Sequence, residues 1–344
     1  MSAGSVLQVS DLETRLDKLA AEMGFSGVAG VTRGGVVELG KAYGFAHRGY
    51  EIPNELDTRF GTASGTKSLT ALTVVSLIEE GRLERETTAR SVLGGELPLI
   101  DDGVTVEHLL AHRSGIGDYL DEEVGYDLND YVLPVPVHEL ASTEDYLAVL
   151  DGHPTKFAPG DRFGYCNGGY VVLALIAERV SGTPFHELVR ERVCEPAGMH
   201  DTAFLRSDEL PGRTALGYLD IDGPSRSNVF HLPVRGSGDG GIYTTAADVG
   251  RLWDSLFAGR LVTIDSVGEM VRPRSDVPEE SMRYGLGFWL HASTDAVLLV
   301  GGDAGVSCYS VHQPQTSLTY TVLANTTRGA WPVARLLDER LGAG

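Results

Sequence analysis

The most regular hydrophobic pattern in the chain begins at Leu69. Apolar residues there recur every three or four positions, which is the spacing of a largely buried helix. They are Leu69, Leu72, Val74, Val75, Leu77 and Ile78. Gly81 then stands where a glycine commonly ends a helix. The pattern therefore predicts a core helix that starts near Leu69 and ends at Gly81.

Both ends of the chain combine a helical pattern with strand patterns. Residues 10–24 have the spacing of an amphipathic helix, and Arg33-Gly34-Gly35 forms the turn of a predicted hairpin with strands at 26–33 and 36–46, a region that Pro53 closes. The predicted C-terminal strands are 284–291, 296–300, 306–312 and 318–325, followed by a helix over 331–341. Short runs separated by turn residues favour an antiparallel meander.

The middle of the chain, from about residue 68 to 205, has mostly helical patterns separated by long loops. We therefore predict an α/β (α+β) fold, with an antiparallel sheet built from both chain ends, flanked by helices, and an inserted, mostly helical domain. The predicted domains are residues 1–67 plus 206–344 and residues 68–205. The acidic segment 118–130 is expected to be a loop, either the lid or rim of a site or a solvated surface.

Ser64 and Lys67 stand at the start of the predicted core helix. Three positions are a little under one helical turn, so the hydroxyl and the amine are expected on one face, within reach of each other. An amine whose pKa is lowered can serve as the base for a serine nucleophile. The first helical turn also offers unpaired N–H groups that favour an oxyanion. By itself the pair is equally typical of a capping serine beside a solvated lysine.

Two later stretches carry further candidate chemistry. Tyr165 and Asn167 lie two positions apart in a turn-rich stretch that leads into an apolar helix, where they can point together into a cleft or simply form a turn. The glycine-rich stretch 236–241 is followed by Thr245 with Asp248 three residues on, which favours a turn entering a capped helix over a nucleotide site.

Composition and charge narrow the classes of partner. The 344 residues carry a formal charge of −20, which would repel nucleic acid and anionic membranes, and no apolar run is long enough to span a bilayer. The N-terminal residues lack the basic start and apolar segment of a secretory signal, so we expect a cytoplasmic protein or one whose leader was trimmed. Three widely spaced cysteines, Cys166, Cys194 and Cys308, suit free thiols better than disulfides or a zinc site.

Several phrases in one fixed order resemble the serine β-lactamase-like, penicillin-binding-protein-like superfamily. The resemblance is to the branch that contains class C β-lactamases, DD-carboxypeptidases, D-aminopeptidases and related esterases, and it extends from about residue 10 to 340. The phrases are Ser64-Gly65-Thr66-Lys67, Leu109 to Ile116, Pro159 to Asn167, the Gly238 to Asp248 turn, and Tyr284-Gly285-Leu286-Gly287-Phe288.

The resemblance implies a role for each matching residue and a site at the interface of the two predicted domains. Ser64 would form the acyl-enzyme, Lys67 would take part in proton transfer, and Tyr165 would shuttle the proton. A phenol near an ammonium should have its anionic form favoured, so Tyr165 and Lys67 should titrate together. Asn167 would hold Lys67 and the acyl group, His112 would be a hydrogen-bonded structural residue, and no metal or cofactor is implied.

The third motif of the superfamily, a Lys-Thr-Gly or His-Thr-Gly strand, is altered here. After the strand 296–300 the chain reads Gly301-Gly302-Asp303-Ala304-Gly305. We align Gly302 with the lysine or histidine position of the motif, Asp303 with its threonine and Ala304 with its glycine, although a shift by one position is possible. In this register the Gly305 and Ser64 N–H groups would form the oxyanion hole.

The altered motif changes the expected substrate. Gly302 offers no cation to attract a carboxylate, and Asp303 would repel one. We therefore expect a serine hydrolase of small-molecule or peptide esters or amides with a neutral or cationic group. An acyltransferase that uses the same acyl-enzyme is the first alternative. A penicillin-recognising protein whose acyl-enzyme stalls, or that only binds, is the second.

Overall fold

The structure is a computed structural model that describes residues 3–125, 127–220 and 225–342, with side chains from residue 10 onward. The helices are α1 (Ala3–Met23), α2 (Thr66–Glu79), α3 (Ala89–Leu93), α4 (Val106–Leu110), α5 (Leu147–Leu150), α6 (Asn167–Ser181), α7 (Phe185–Val189), α8 (Glu195–Ala197), α9 (Ala246–Phe257), α10 (Ile264–Met270) and α11 (Ala330–Leu341). The strands are β1 (Gly27–Arg33), β2 (Val36–Tyr43), β3 (Phe45–His47), β4 (Ile52–Pro53), β5 (Phe60–Gly61), β6 (Tyr243–Thr244), β7 (Ser275–Val277), β8 (Met282–Tyr284), β9 (Trp289–His291), β10 (Val297–Asp303), β11 (Val306–Gln313) and β12 (Leu318–Ala324).

An eight-stranded antiparallel sheet joins the two ends of the chain. Its strand order is β2-β1-β12-β11-β10-β9-β8-β7, so the N-terminal hairpin pairs with the last strand. The register aligns Gly27 with Ala324 and Arg33 with Leu318. The predicted fold class, with a sheet built from both termini and flanked by helices, is confirmed.

The two faces of the sheet have separate hydrophobic cores. On one face, α1 and α11 pack through Leu16, Val333 and Leu337 against strand residues such as Tyr320 and Val322. On the other face a larger core combines α2, α6 and α9 with the opposite side of the same strands. The helical middle of the chain thus packs on this second face. The domain boundaries at residues 67 and 205 stay a prediction.

Helix α2 runs through the centre of the larger core. Its residues from Thr66 to Leu77 are all buried, which suits a helix that is surrounded by protein on every side. The polar side chains on it bond to carbonyls, because a buried hydroxyl without a partner is costly: Ser68 Oγ donates to Gly287 O at 2.8 Å and Thr70 Oγ1 to Gly238 O at 2.6 Å. The predicted core helix is therefore confirmed, and its partners hold it tightly in place.

The predicted strand over residues 284–291 differs from the structure. The chain forms two short strands there, β8 and β9, joined by a turn in which Gly287 has φ +84°. A β-carbon on Gly285 would overlap the Met270 carbonyl oxygen. Glycines at both positions let the backbone turn tightly beneath α2. The apolar composition of this segment does not reveal such a turn.

Two further expectations concern membranes and thiols. Within the described ranges, no helix is both long and apolar enough to cross a bilayer. Cys166, Cys194 and Cys308 are buried free thiols, as expected. The cytoplasmic location stays a prediction.

Candidate active site

Ser64 lies on a short 3-10 turn, residues Ala63–Gly65, that leads directly into α2. Ala63, just before it, has φ +45°, a left-handed conformation that a non-glycine residue adopts only when its surroundings impose it. The surroundings include β10, since a β-carbon on Gly301 would overlap the Thr62 carbonyl and lie 2.9 Å from Ser64 N. Ser64 is thus held on a tight turn against the sheet while its side chain stays partly accessible.

Lys67 stands one turn further along, and its amine has three hydrogen-bond acceptors. Nζ lies 3.0 Å from Ser64 Oγ, 2.8 Å from Asn167 Oδ1 and 2.7 Å from the carbonyl oxygen of Asp239. The side chain is 2% exposed. The two carbonyl acceptors orient the amine, so a neutral Lys67 can donate to both of them and direct its lone pair at the Ser64 hydroxyl.

The electrostatics of Lys67 favour that neutral form. Burial lowers the pKa of its amine, although the nearby carboxylates of Asp239, Glu122, Asp118 and Asp303 act in the opposite direction. Removing a charge from water costs more here than these carboxylates return. A lysine that would be inert at the surface thereby becomes a candidate base.

Tyr165 reaches the same hydroxyl from the other side. Lys67 Nζ lies 4.9 Å from the centroid of its ring, and the Ser64 hydroxyl is close enough to lower the pKa of its phenol. Burial, reinforced by the Glu122 carboxylate, raises the pKa of this phenol well above its ordinary value, and the Ser64 hydroxyl only partly offsets the rise. The expectation that its anionic form is favoured is therefore wrong, because Tyr165 is a neutral phenol in this setting.

Two aromatic rings, those of His112 and Trp289, pack against the Tyr165 ring. The His112 ring packs 4.3 Å from the Tyr165 ring and the Trp289 ring stacks on it at 6.0 Å, centroid to centroid. His112 Nδ1 accepts a hydrogen bond from the Cys166 N–H at 3.1 Å, whereas its buried Nε2 has no partner in the described structure. Burial and the Lys67 charge lower the pKa of His112 well below its usual value. This histidine is a neutral packing residue, as expected, but only one of its two nitrogens is hydrogen-bonded.

Asn167 is positioned by a carboxylate that lies in the acidic loop. Asp118 accepts hydrogen bonds from the N–H groups of Asn167 at 2.5 Å and Gly168 at 2.8 Å, at the N-terminus of α6. The Asn167 amide nitrogen then donates to Leu120 O at 3.0 Å and Glu122 Oε1 at 3.2 Å, which leaves its oxygen for Lys67. The pKa of Asp118 is raised to about 6 by burial, which outweighs these N–H donors.

The altered third motif lies on β10, whose two faces differ. Leu299 and Gly301 pack against Gly65 and Ser64, and because side chains alternate along a strand, Asp303 lies on the same face. A β-carbon on Gly302 would instead lie 3.1 Å from the Trp331 ring, on the opposite face. The prediction that Gly302 occupies the place of the family cation is therefore wrong. The absence of a cation holds all the same, since Leu299, Gly301 and Asp303 carry no positive charge.

The turn after β10 corrects the predicted oxyanion hole. The Gly305 N–H donates to Thr327 Oγ1 at 2.9 Å, so it is not available to a substrate, and the Ala304 N–H donates to Asp303 Oδ1 at 2.8 Å. On the strand itself, Ala296 O accepts from His291 N on the β9 side. Alternation then directs the Gly302 N–H to that same edge, beyond the end of its pairing with β9.

A cleft of about 950 Å³ opens at Ser64. Its walls come from the turn around Ser64, the acidic loop, the start of α6, the segments 205–207 and 228–241, and the end of β10. Its charged lining residues are Glu122, Asp239 and Asp303. The loop 118–130 thus forms part of the rim of this cleft, as one of its two expected roles required.

The sequence is similar to those of several known proteins. A family model described as Beta-lactamase matches residues 12–343. The chain belongs to the Beta-lactamase family. It is 30% identical over 299 residues to Esterase EstB of Burkholderia gladioli, covering 76% of this chain and 73% of that protein. It is 28% identical to a D-aminopeptidase of Brucella anthropi, covering 93% of this chain and 60% of that protein.

A solved structure extends this likeness to the whole fold. The crystal structure of a penicillin binding protein from Bacillus halodurans has a TM-score of 0.88 to this chain and 36% sequence identity, and covers 94% of this chain and 99% of that one. Relatives in the Beta-lactamase family thus include proteins named for an esterase, a peptidase and a penicillin-binding function.

The sequence analysis did not identify Asp239 and Asp118 as site residues, although the fold places both near Lys67. Asp239 is 8% exposed and accepts a hydrogen bond from the Tyr119 hydroxyl at 2.5 Å. Burial raises the pKa of its carboxyl despite the nearby Lys67 charge. Asp239 lies in the glycine-rich stretch and Asp118 in the acidic loop, and the sequence analysis had discussed both segments. The feature that could have identified them was an acidic residue within such a segment.

Proposed function

We propose that the protein is a serine hydrolase that cleaves an ester or amide bond through an acyl-enzyme on Ser64. The observation that carries this proposal is the 3.0 Å contact between Lys67 Nζ and Ser64 Oγ, with the Tyr165 ring 4.9 Å from the same amine. A buried amine and a neutral phenol on one hydroxyl form the nucleophile, base and proton donor that acyl transfer requires.

In the acylation step Lys67 takes the Ser64 proton as Oγ attacks the substrate carbonyl carbon. The lowered pKa of Lys67 supports this role, and its hydrogen bonds to Asn167 and Asp239 hold the amine in place as the proton arrives. The Tyr165 phenol then donates its proton to the leaving oxygen or nitrogen, and the neighbouring Lys67 ammonium transfers its extra proton to the phenolate.

Deacylation reverses the roles of the same groups. A water molecule attacks the acyl carbon and gives its proton to the base that Lys67 and Tyr165 provide, while Ser64 Oγ leaves and regains a proton. If an amine or alcohol replaces the water, the same chemistry gives acyl transfer. Product analysis with and without an added amine nucleophile distinguishes the two outcomes.

The negative oxygen of each tetrahedral intermediate needs two N–H donors. The Ser64 N–H lies in the first turn before α2, where backbone donors lack helical acceptors, and the Gly302 N–H points to the unpaired edge of β10. We assign the oxyanion hole to these two groups in place of Gly305. The close approach of Gly301 to Ser64 N supports this assignment, because it brings the strand edge to the nucleophile.

The substrate follows from the charge of the cleft walls. The β10 face toward Ser64 carries no cation, and Asp303 lines the cleft, so a substrate carboxylate there would meet repulsion. This argues against penicillins and peptide C-termini, and favours esters and amides with neutral or positively charged groups.

The test is a Ser64→Ala variant assayed with a small p-nitrophenyl ester. We expect turnover to fall to the uncatalysed rate with an unchanged circular dichroism spectrum, and a fluorophosphonate label on the wild type to map to the peptide that contains Ser64. Undiminished hydrolysis by the variant would remove the proposal.

A second candidate is a penicillin-recognising protein whose acyl-enzyme stalls, favoured by the 36% identity to a penicillin binding protein. Intact mass spectrometry after mixing with benzylpenicillin separates the two. A persistent adduct that Ser64→Ala lacks would support stalling, whereas ester turnover without an adduct supports the hydrolase.

A further inference from the structure

Two of the four acidic groups around Ser64, Asp239 and Asp118, have hydrogen-bond donors within the protein that stabilise their charge. Asp239 accepts a hydrogen bond from the Tyr119 hydroxyl at 2.5 Å. Asp118 accepts two N–H groups at the N-terminus of α6, where the helix dipole favours an anion. These two carboxylates therefore have their compensation within the protein.

Asp303 and Glu122 are different. Asp303 Oδ1 accepts one hydrogen bond from the Ala304 N–H, and Glu122 Oε1 accepts one from the Asn167 amide. Within the described part of the chain neither forms an ion pair, and the nearby Lys156 already pairs with Asp121 and Glu123. Burial raises the pKa of Asp303 to about 7, reinforced by the Asp239 and Glu122 charges. The cleft therefore has an excess of negative charge that the protein does not balance.

The cleft is also one-sided with respect to the reacting bond. It extends from Ser64 along Asn167, Tyr119 and Asp303, and among its described lining residues Tyr165 is absent. Tyr165 lies beside Lys67, with its ring 4.9 Å from Nζ, and Trp289 stacks on Tyr165 outside the cleft lining. Because Tyr165 protonates the leaving group in the proposed reaction, the leaving group departs on that aromatic side. The cleft then receives the group that stays on Ser64.

Tyrosines as well as carboxylates line the cleft. Tyr119, Tyr131 and Tyr146 line it, and Tyr146 is fully buried with its hydroxyl donating to Arg235 O at 2.8 Å. Aromatic faces and carboxylates together attract ammonium groups, including quaternary ones that cannot donate hydrogen bonds. The cleft is open to solvent on one side, so an acyl chain with such a head group can extend along it.

We propose that this cleft is an acyl-group subsite selective for acyl chains that bear an ammonium group, with Asp303 and Glu122 as its counter-charges. This inference rests on the proposed acyl-enzyme function and adds to it the side of the scissile bond on which the positive charge must stand. Substrates with the same charge on the leaving group should gain less, because Asp303 and Glu122 line the cleft and not the side of Tyr165.

The experiment compares two matched pairs of esters at roughly pH 8, where Asp303 is ionised. The first pair shares a p-nitrophenyl leaving group, and its acyl chains end in trimethylammonium or in the neutral tert-butyl isostere. The second pair shares an acetyl group, and its aliphatic alcohol leaving groups end in the same two substituents, which a saturated spacer separates from the reacting oxygen. We expect kcat/KM to favour the cationic acyl chain by about tenfold or more, with a ratio near one for the leaving-group pair.

The variants Asp303→Asn and Glu122→Gln should each reduce the acyl-chain preference several-fold while the neutral ester is still hydrolysed. Glu123→Gln is the matched control, because it removes one charge from the same loop. Glu123 itself pairs with Lys156 and Arg162 outside the cleft. It should leave the preference unchanged.

Failure of this inference is distinguishable from failure of the proposed function. If hydrolysis depends on Ser64 but the two acyl chains react equally, or if Asp303→Asn retains the full preference, the ammonium subsite is refuted and the hydrolase stands. A preference confined to the leaving-group pair would refute the assignment of the two sides. Hydrolysis that survives Ser64→Ala would refute the reaction itself.

Discussion

The two walls on either side of Ser64 are built in opposite ways. On the α2 wall the polar groups of Lys67, Ser68 and Thr70 bond to buried protein oxygens. On the β10 wall the residues near Ser64 are Gly301, Gly302 and Asp303, and among the described residues Asp303 has only the neighbouring Ala304 N–H as a donor. One wall is held by its own partners, and the other has charge and space left for a substrate.

The difference separates chemistry from specificity. A buried wall with fully bonded polar groups keeps nucleophile and base at a constant distance, which catalysis needs. Apart from Gly301, where a β-carbon would meet Ser64 N, the β10 wall can change its side chains without disturbing that geometry, since its backbone pairing does not depend on them. Loss of the family cation from β10 is therefore compatible with an intact Ser64 and Lys67, and substrate selection is the property that should change.

Removing the base should have the largest effect. Lys67→Met keeps the apolar stem and deletes the amine, so we expect kcat to fall by about 10²–10⁴-fold. The melting temperature should change little, because relief of the buried charge offsets the unpaired oxygens of Asn167 and Asp239. Steady-state kinetics with a p-nitrophenyl ester measures the loss, and a decrease below tenfold would contradict the role of Lys67.

The two faces of β10 can be tested with adjacent alanines. Gly301→Ala places a methyl group against the Thr62 carbonyl and Ser64 N, so we expect a loss of about 1–3 kcal/mol in the free energy of unfolding and at least tenfold in kcat. Gly302→Ala meets only the edge of Trp331 and keeps its N–H, so its losses should be much smaller. Urea unfolding and kinetics on both variants check this, and equal losses would contradict the assigned faces.

Asp118 connects the acidic loop to the catalytic wall. Asp118→Asn keeps one oxygen for the α6 N–H groups and loses the other, so Asn167 should be held less well and kcat should fall by about tenfold with little change in KM. Asp121→Asn, which alters the same loop at its ion pair with Lys156, is the control. An equal effect of both variants would show that the loop matters only as a whole.

The smallest effect is expected on stability, from Asp303→Asn. The folded-state pKa of about 7 lies above the ordinary 3.8, so between these values the folded protein holds a proton that the unfolded chain has lost. Wild-type stability should therefore fall as pH rises from about 4 to 7. Asparagine does not titrate, so the variant should gain about 1–2 kcal/mol over the wild type by pH 8, discounted for partial exposure. Urea unfolding at both ends of this range measures it, and a constant difference would contradict the shift.

Local patterns were sufficient for the elements that depend on local physics. The spacing of Leu69 to Ile78 predicted α2, and the Arg33-Gly34-Gly35 turn predicted the first hairpin, because amphipathicity and turn geometry are determined within a few residues. The Thr245 cap of α9 was also correct, as its side chain accepts from Asp248 N. The strand over 284–291 was not, since its turn is required by a distant helix.

The sequence by itself determined the pairing of Ser64 with Lys67, because one helical turn brings residues three apart together whatever surrounds them. It also determined that β10 lacks a cation, since glycine and aspartate carry none in any register. Only the tertiary structure decided which N–H groups face Ser64, that Tyr165 is a neutral phenol, and that Asp118, Asp239 and Asp303 converge there. Those properties depend on strand faces, burial and contacts between segments up to 239 residues apart, Ser64 and Asp303, and a linear pattern contains no information about such contacts.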